Sequence, residues 1–203
     1  EIFIHMSDLG EILLMFIAGL ETDLNEMIRT GKTSFAIAIG GVILPIVFGI
    51  AAGSLFGKSL LEGAFIGVIL SATSVSITVE TLREIDKLKT PQGMAILGAA
   101  VIDDVIGIVL LSLMTGFVNP GEGLSFIKVI LNILIFFIVS CVIGMFIIKF
   151  SRKYFLTKNT SKNIVVIALV FCLLFGYFAE EMGVAAITGA YVAGIVLSET
   201  PFR

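Results

Sequence analysis

The chain has 203 residues, 58% of them hydrophobic and 14% charged, with a net charge of -3 and a mean hydropathy of +1.11. A soluble domain of this composition would expose large apolar patches, whereas a bilayer asks for apolar runs of about 20 residues, and the chain is built from such runs. The reading is an all-α integral membrane protein; there is no basic cluster with interleaved aromatics for nucleic acid, and no nucleophile–base pair, phosphate loop or zinc-ligand set to suggest an enzyme.

Seven transmembrane spans are predicted, in one domain over residues 1–203. The first, Ile2 to Leu20, carries His5, Asp8 and Glu11 and has no basic leader, so it is not read as a cleavable signal; a start at Glu1 rather than Met suggests a fragment. His5 is read as a surface group. The second, Phe35 to Phe56, contains Pro45, where a kink is expected, and Gly40, Gly41, Gly49 and Gly53, which suggest close packing.

The third span, Gly63 to Val79, includes SATSVSITV, with Ser71, Thr73, Ser74, Ser76 and Thr78 in nine residues. Hydroxyl and β-branched residues are weak helix formers, and Ser and Thr compete for backbone hydrogen bonds. Either these are small residues at a helix interface, or the helix unwinds near mid-depth and its carbonyls and hydroxyls, with Thr73 and Ser74 at the centre, coordinate a hard cation.

The fourth span, Gln92 to Phe117, contains AAVIDDVIGIVLL. At about 1.5 Å per residue from Pro91, Asp104 lies roughly 20 Å along it, near the middle of a core about 30 Å thick. An ionisable group there costs on the order of 3 kcal/mol or more and is normally aimed at a cavity or a partner. No Lys or Arg of the seven spans lies near that depth. Desolvation and a neighbouring like charge favour the protonated acid, whereas a bound cation favours the ionised form, which is the opposition that proton/cation competition needs. Consecutive helical residues point about 100° apart, so Asp103 and Asp104 are not expected to face one pathway and divide two roles.

The remaining spans are Phe126 to Ile148, Ile164 to Phe178 and Ala185 to Ser198, the last two joined by a hairpin whose turn, at Glu180, Glu181 and Gly183, is expected at the membrane surface. Cys141 and Cys172 are read as small buried hydrophobes rather than disulfide or metal partners. Of the thirteen basic residues, eleven fall on one side: Arg29, Lys32, Arg83, Lys87, Lys89, Lys149, Arg152, Lys153, Lys158, Lys162 and Arg203. Lys58 and Lys128 fall on the other. The excess places the N-terminus outside and the C-terminus in the cytoplasm.

Four stretches carry a family resemblance: DLGEILLMFIAGLETDL at Asp8 to Leu24, SATSVSIT at Ser71 to Thr78, GAAVIDDVIGI at Gly98 to Ile108, and GAYVAGIVLSETPFR at Gly189 to Arg203. Together they make the chain resemble the monovalent cation:proton antiporters of the second bacterial type, which include sodium/proton exchangers and potassium-efflux systems. The resemblance implies an inverted-repeat fold with a discontinuous helix, in the inner membrane, working by alternating access and forming a homodimer. It implies that Asp104 binds the ion and the proton, that Asp103 is the acidic residue before it, and that Thr73 and Ser74 belong to the unwound helix crossing nearby. Transported Na⁺ (or K⁺ or Li⁺) and H⁺ are the implied ligands, with no cofactor. Potassium-efflux members usually carry a non-acidic residue at the position of Asp103, so two aspartates resemble the electrogenic sodium/proton branch. K⁺/H⁺ antiport or ligand-gated K⁺ efflux is the alternative in the same fold, and a passive channel or a non-transporting membrane subunit the alternative of another class. Members of the family have about a dozen or more spans, so the chain resembles a middle portion of one.

Overall fold

A computed structural model describes residues 2–118, 123–154 and 164–200. Lys158, Lys162 and Arg203 of the basic tally, and the last three residues of the fourth resemblance stretch, lie outside the described residues. Eight helices are described: α1 (Ile2–Glu21), α2 (Leu24–Leu55), α3 (Leu60–Ser71), α4 (Val75–Glu84), α5 (Pro91–Val118), α6 (Gly123–Tyr154), α7 (Ile164–Glu181) and α8 (Ala186–Ser198).

Local chemistry sets the helix starts. The Asp23 carboxylate accepts the N–H groups of Asn25 and Glu26 at the head of α2, at 2.9 and 3.3 Å. Ser59 and Glu62 form a reciprocal capping box at the head of α3, with the Ser59 N–H donating to the Glu62 carboxylate at 2.8 Å and the Glu62 N–H to the Ser59 hydroxyl at 3.3 Å. At α5 the Thr90 hydroxyl accepts from Gly93 N–H and Pro91 takes the first helical position, where its missing donor costs nothing. The turns between helices use left-handed backbone at Gly57, Asp86 and Gly183, two glycines and a short polar residue that tolerate it.

Among the described residues, five helical segments are long and apolar enough to cross a bilayer: Leu24–Leu55, Leu60–Glu84, Pro91–Phe117, Phe126–Lys149 and Ile164–Glu181. The second of these is α3 and α4 together, broken at residues 72–74, so the unwound alternative for the serine-threonine stretch is the one the backbone adopts. The seventh predicted span forms as an apolar helix within one residue of its expected bounds, but it is short. It is α8, whose 13 residues reach about 20 Å, short of a hydrocarbon core of about 30 Å.

Two pairs of helices meet through glycine. At α2 against α3, a Cβ on Gly53 would lie 2.9 Å from the Gly63 Cα, and one on Gly49 would lie 2.5 Å from the Gly67 Cα. At α1 against α8, Gly19 faces Gly194. Close packing therefore holds for Gly49 and Gly53 but not for Gly40 and Gly41, where an added Cβ would have nothing within 4 Å. α2 stays helical through Pro45. A buried cluster of Met15, Val79, Met94, Leu97 and Tyr191 ties α1, α4, α5 and α8 together, and a second, around Phe136 and Val184, ties the α7–α8 turn to α6 and to Val105 and Ile108 of α5. Both cysteines are free thiols; Cys172 is buried as expected, but Cys141 is exposed.

Candidate functional site

The break between α3 and α4 is built from hydroxyls standing in for lost backbone donors. Ala72 and Ser74 take extended backbone, with ψ of 118° and 108°. At the end of α3 the Ser71 hydroxyl donates to the Val68 carbonyl (2.8 Å) and the Thr73 hydroxyl to the Ser71 carbonyl (3.0 Å). The Ser74 side chain makes no capping bond to α4. The negative end of α3 and the positive end of α4 thus converge at one level, an arrangement that can hold a cation against carbonyls and a carboxylate against N–H groups.

α5 passes this break with its two aspartates. Asp103, Asp104, Thr73 and Ser71 line one cavity of about 360 Å³, together with Ala185 from the α7–α8 turn. Asp103 and Thr73 also line a second cavity of about 160 Å³ on the α2 side, with Ala38 and Thr78. Among the described residues, no Lys, Arg or His lines either cavity. The expectation that the two aspartates cannot face one pathway is corrected: both line the larger of these two cavities, and only Asp103 also lines the second. Oδ1 of Asp103 is buried with no hydrogen-bond partner among the described residues.

The structure brings Thr73 to the aspartates but not the Ser74 side chain, which is exposed and lines neither cavity. Its carbonyl accepts the Thr78 hydroxyl at 3.3 Å. His5, Glu180 and Glu181 are exposed. The α7–α8 hairpin delivers its downstream end to the carboxylates: Thr188, in the first turn of α8 and 1% exposed, donates to Asp104 Oδ2 at 2.8 Å. Sequence reading passes over Thr188 because a lone threonine in GVAAITGAY looks like any small helix-packing residue. The one available signal is its place in a first helical turn, where a hydroxyl has no carbonyl four residues back within the helix to occupy it.

A family model described as "Sodium/hydrogen exchanger, transmembrane" matches residues 1–203. Over its whole length the chain is 41% identical to the probable Na⁺/H⁺ antiporter GerT of Bacillus cereus, of which it covers 54%. It is 40% identical to the Na⁺/H⁺-K⁺ antiporter GerN of the same organism, covering 52%, and 35% identical to a Na⁺/H⁺ antiporter of Enterococcus hirae, covering 54%. The chain spans about half the length of the curated relatives it matches.

Proposed function

The chain belongs to the sodium/hydrogen exchanger family, and from that premise we propose that it carries the ion-exchange site of a secondary transporter trading Na⁺ for H⁺ by alternating access. The observation that carries this reading is the pair of carboxylates lining a cavity at a helix break, on a helix long and apolar enough to span the membrane. Asp104 binds Na⁺ and H⁺ in turn, because one carboxylate holds a metal ion or a proton but not both. Thr73, on the same cavity wall, supplies a further oxygen. Ser74 stands second to Thr73 in this role, since it lines neither cavity. Asp103, whose Oδ1 has no hydrogen-bond partner among the described residues, pairs with a basic group elsewhere in the full protein or carries a second proton.

The proposed setting is the inner membrane, with α1 starting outside and α8 ending toward the cytoplasm, supported by the eleven-to-two division of basic residues. With the native cysteines replaced, a cysteine at Lys87 should be reached by an impermeant thiol reagent only after cells are opened; labelling from outside intact cells overturns the orientation. A homodimer is the proposed assembly, which native mass spectrometry of the full-length protein would report; a monomer alone would overturn it.

In everted vesicles containing the full-length protein, adding Na⁺ should collapse a pre-formed pH gradient. A gradient that survives Na⁺, with the protein verified in the membrane, overturns the sodium assignment. Collapse by K⁺ in its place would establish the second reading, K⁺/H⁺ exchange, which is favoured by the 40% identity to a relative named for both ions.

A further inference from the structure

Several described helical threonines return their hydroxyls to their own helix: Thr30 to the Glu26 carbonyl, Thr81 to Ile77 and Thr115 to Leu111, each four residues back. Thr188 does not. Its position four residues back is Val184, before α8 begins, and the Ala185 carbonyl already accepts the N–H groups of both Thr188 and Gly189. Its hydroxyl crosses 84 residues of sequence to a carboxylate instead.

The packing of α8 holds it there. Gly189 sits so close to α7 that a Cβ on it would lie 2.6 Å from the Ala179 Cβ and 2.5 Å from the Phe175 carbonyl oxygen, which limits rotation of α8 about its axis. The neighbouring Thr188 is thereby turned to α5. Oδ2 of Asp104 is engaged by this bond, whereas Oδ1 accepts none among the described residues and belongs to a side chain that lines the cavity with Thr73.

We propose that Thr188 is a positioning residue for the exchanged cation: its hydroxyl clamps one oxygen of Asp104 so that the other is presented to the cavity beside Thr73. This deepens the exchange reading above and rests on it. A hydrogen bond to an ionised acceptor is shorter and about twice as strong as a neutral one, so the clamp holds the carboxylate rotamer most firmly in the state that receives the cation. The positive end of α8, whose N-cap Ala185 lines the same cavity and makes no side-chain cap bond, adds favourable charge on the same side.

The test uses the full-length protein with Thr188→Val, which keeps shape and removes the hydroxyl, and Thr188→Ser, which keeps the hydroxyl. Thr188→Val should raise the half-saturating Na⁺ concentration about tenfold or more while the maximal rate stays within about twofold, and Thr188→Ser should restore the sodium dependence to within about twofold. Unchanged sodium dependence in Thr188→Val, or equal effects of Val and Ser, would overturn the clamp. Should Thr188→Val not fold, Thr188→Cys, a weak donor of similar size, supplies the same comparison. Infrared difference spectroscopy on the purified protein gives a readout independent of transport: the carboxyl band lost in Asp104→Asn should shift in Thr188→Val and not in Thr188→Ser. An unshifted band overturns the proposal even in an active exchanger. A shifted band in a protein that moves neither Na⁺ nor K⁺ keeps the Thr188–Asp104 clamp and overturns the exchange reading.

Discussion

Asp104→Asn in the full-length protein is expected to reduce sodium-driven proton movement by about 100-fold or more while leaving the fold intact. Asparagine is nearly isosteric and keeps an oxygen that can accept the Thr188 hydroxyl, so the packing of α5 against α8 is preserved. What is lost is the exchangeable negative charge. Truncating one partner of a buried charged contact typically costs about 2–5 kcal/mol, and about 1.4 kcal/mol is tenfold, so a deficit of two or more orders of magnitude follows. Removing a charge from mid-membrane does not by itself destabilise, because that charge was costly to place there. Thermal unfolding in detergent should therefore be no lower than in the unaltered protein. Asp103→Asn provides the contrast. If Asp103 carries the second proton, its variant still exchanges ions but loses acceleration by an imposed membrane potential. Vesicle assays with and without a potassium diffusion potential measure both effects, and an Asp104→Asn protein that still collapses the gradient at normal rate would sink the site assignment.

The second large effect is structural and falls on Gly67. A Cβ there would run into the Ile46 Cα and lie 2.8 Å from the Pro45 carbonyl oxygen. Both obstacles are backbone, so no side chain can swing aside, and α3 would have to move off α2. Gly67→Val is expected to cost about 3 kcal/mol or more, at the upper end of overpacking penalties, because the small-residue contact is what lets the two helices approach. The damage also reaches function. Gly67 is one turn before Ser71, where α3 ends and the cavity wall begins, so displacing α3 displaces Thr73 from Asp103. Gly40→Ala is the matched control, since nothing lies within 4 Å of its added methyl. Comparing thermal midpoints of the two variants decides the matter: equal stability would mean that α2 and α3 do not meet as closely as described.

Much of the architecture was legible because it depends on short-range chemistry. Apolar runs read as spans since lipid cannot hydrate a backbone, and SATSVSITV read as a candidate break since its hydroxyls compete with helix hydrogen bonds over two to four residues. The aspartate pair stood out by cost alone: two acids in an apolar run demand a cavity, whatever the rest of the chain does.

Contacts between partners distant in sequence were not legible in this way. Gly40 and Gly49 are the same residue type nine positions apart in one helix, yet only Gly49 meets a neighbour, because the crossing point of α2 and α3 is set by both helices together. Thr73 and Ser74 are adjacent on the extended backbone of the break, but only Thr73 lines the cavity. Asp103 and Asp104 share a cavity despite pointing about 100° apart, since its wall is contributed by α3 and by the turn after α7. Thr188 reaches Asp104 across 84 residues because close glycine packing sets the rotation of α8, and no local pattern encodes that angle. Residue order and type were enough to establish that this protein spans a membrane and carries two acids within an apolar helix, and to mark one stretch as a candidate break, because those follow from local hydrogen bonding and solvation. Which oxygens gather round the acids was settled only by how the helices cross.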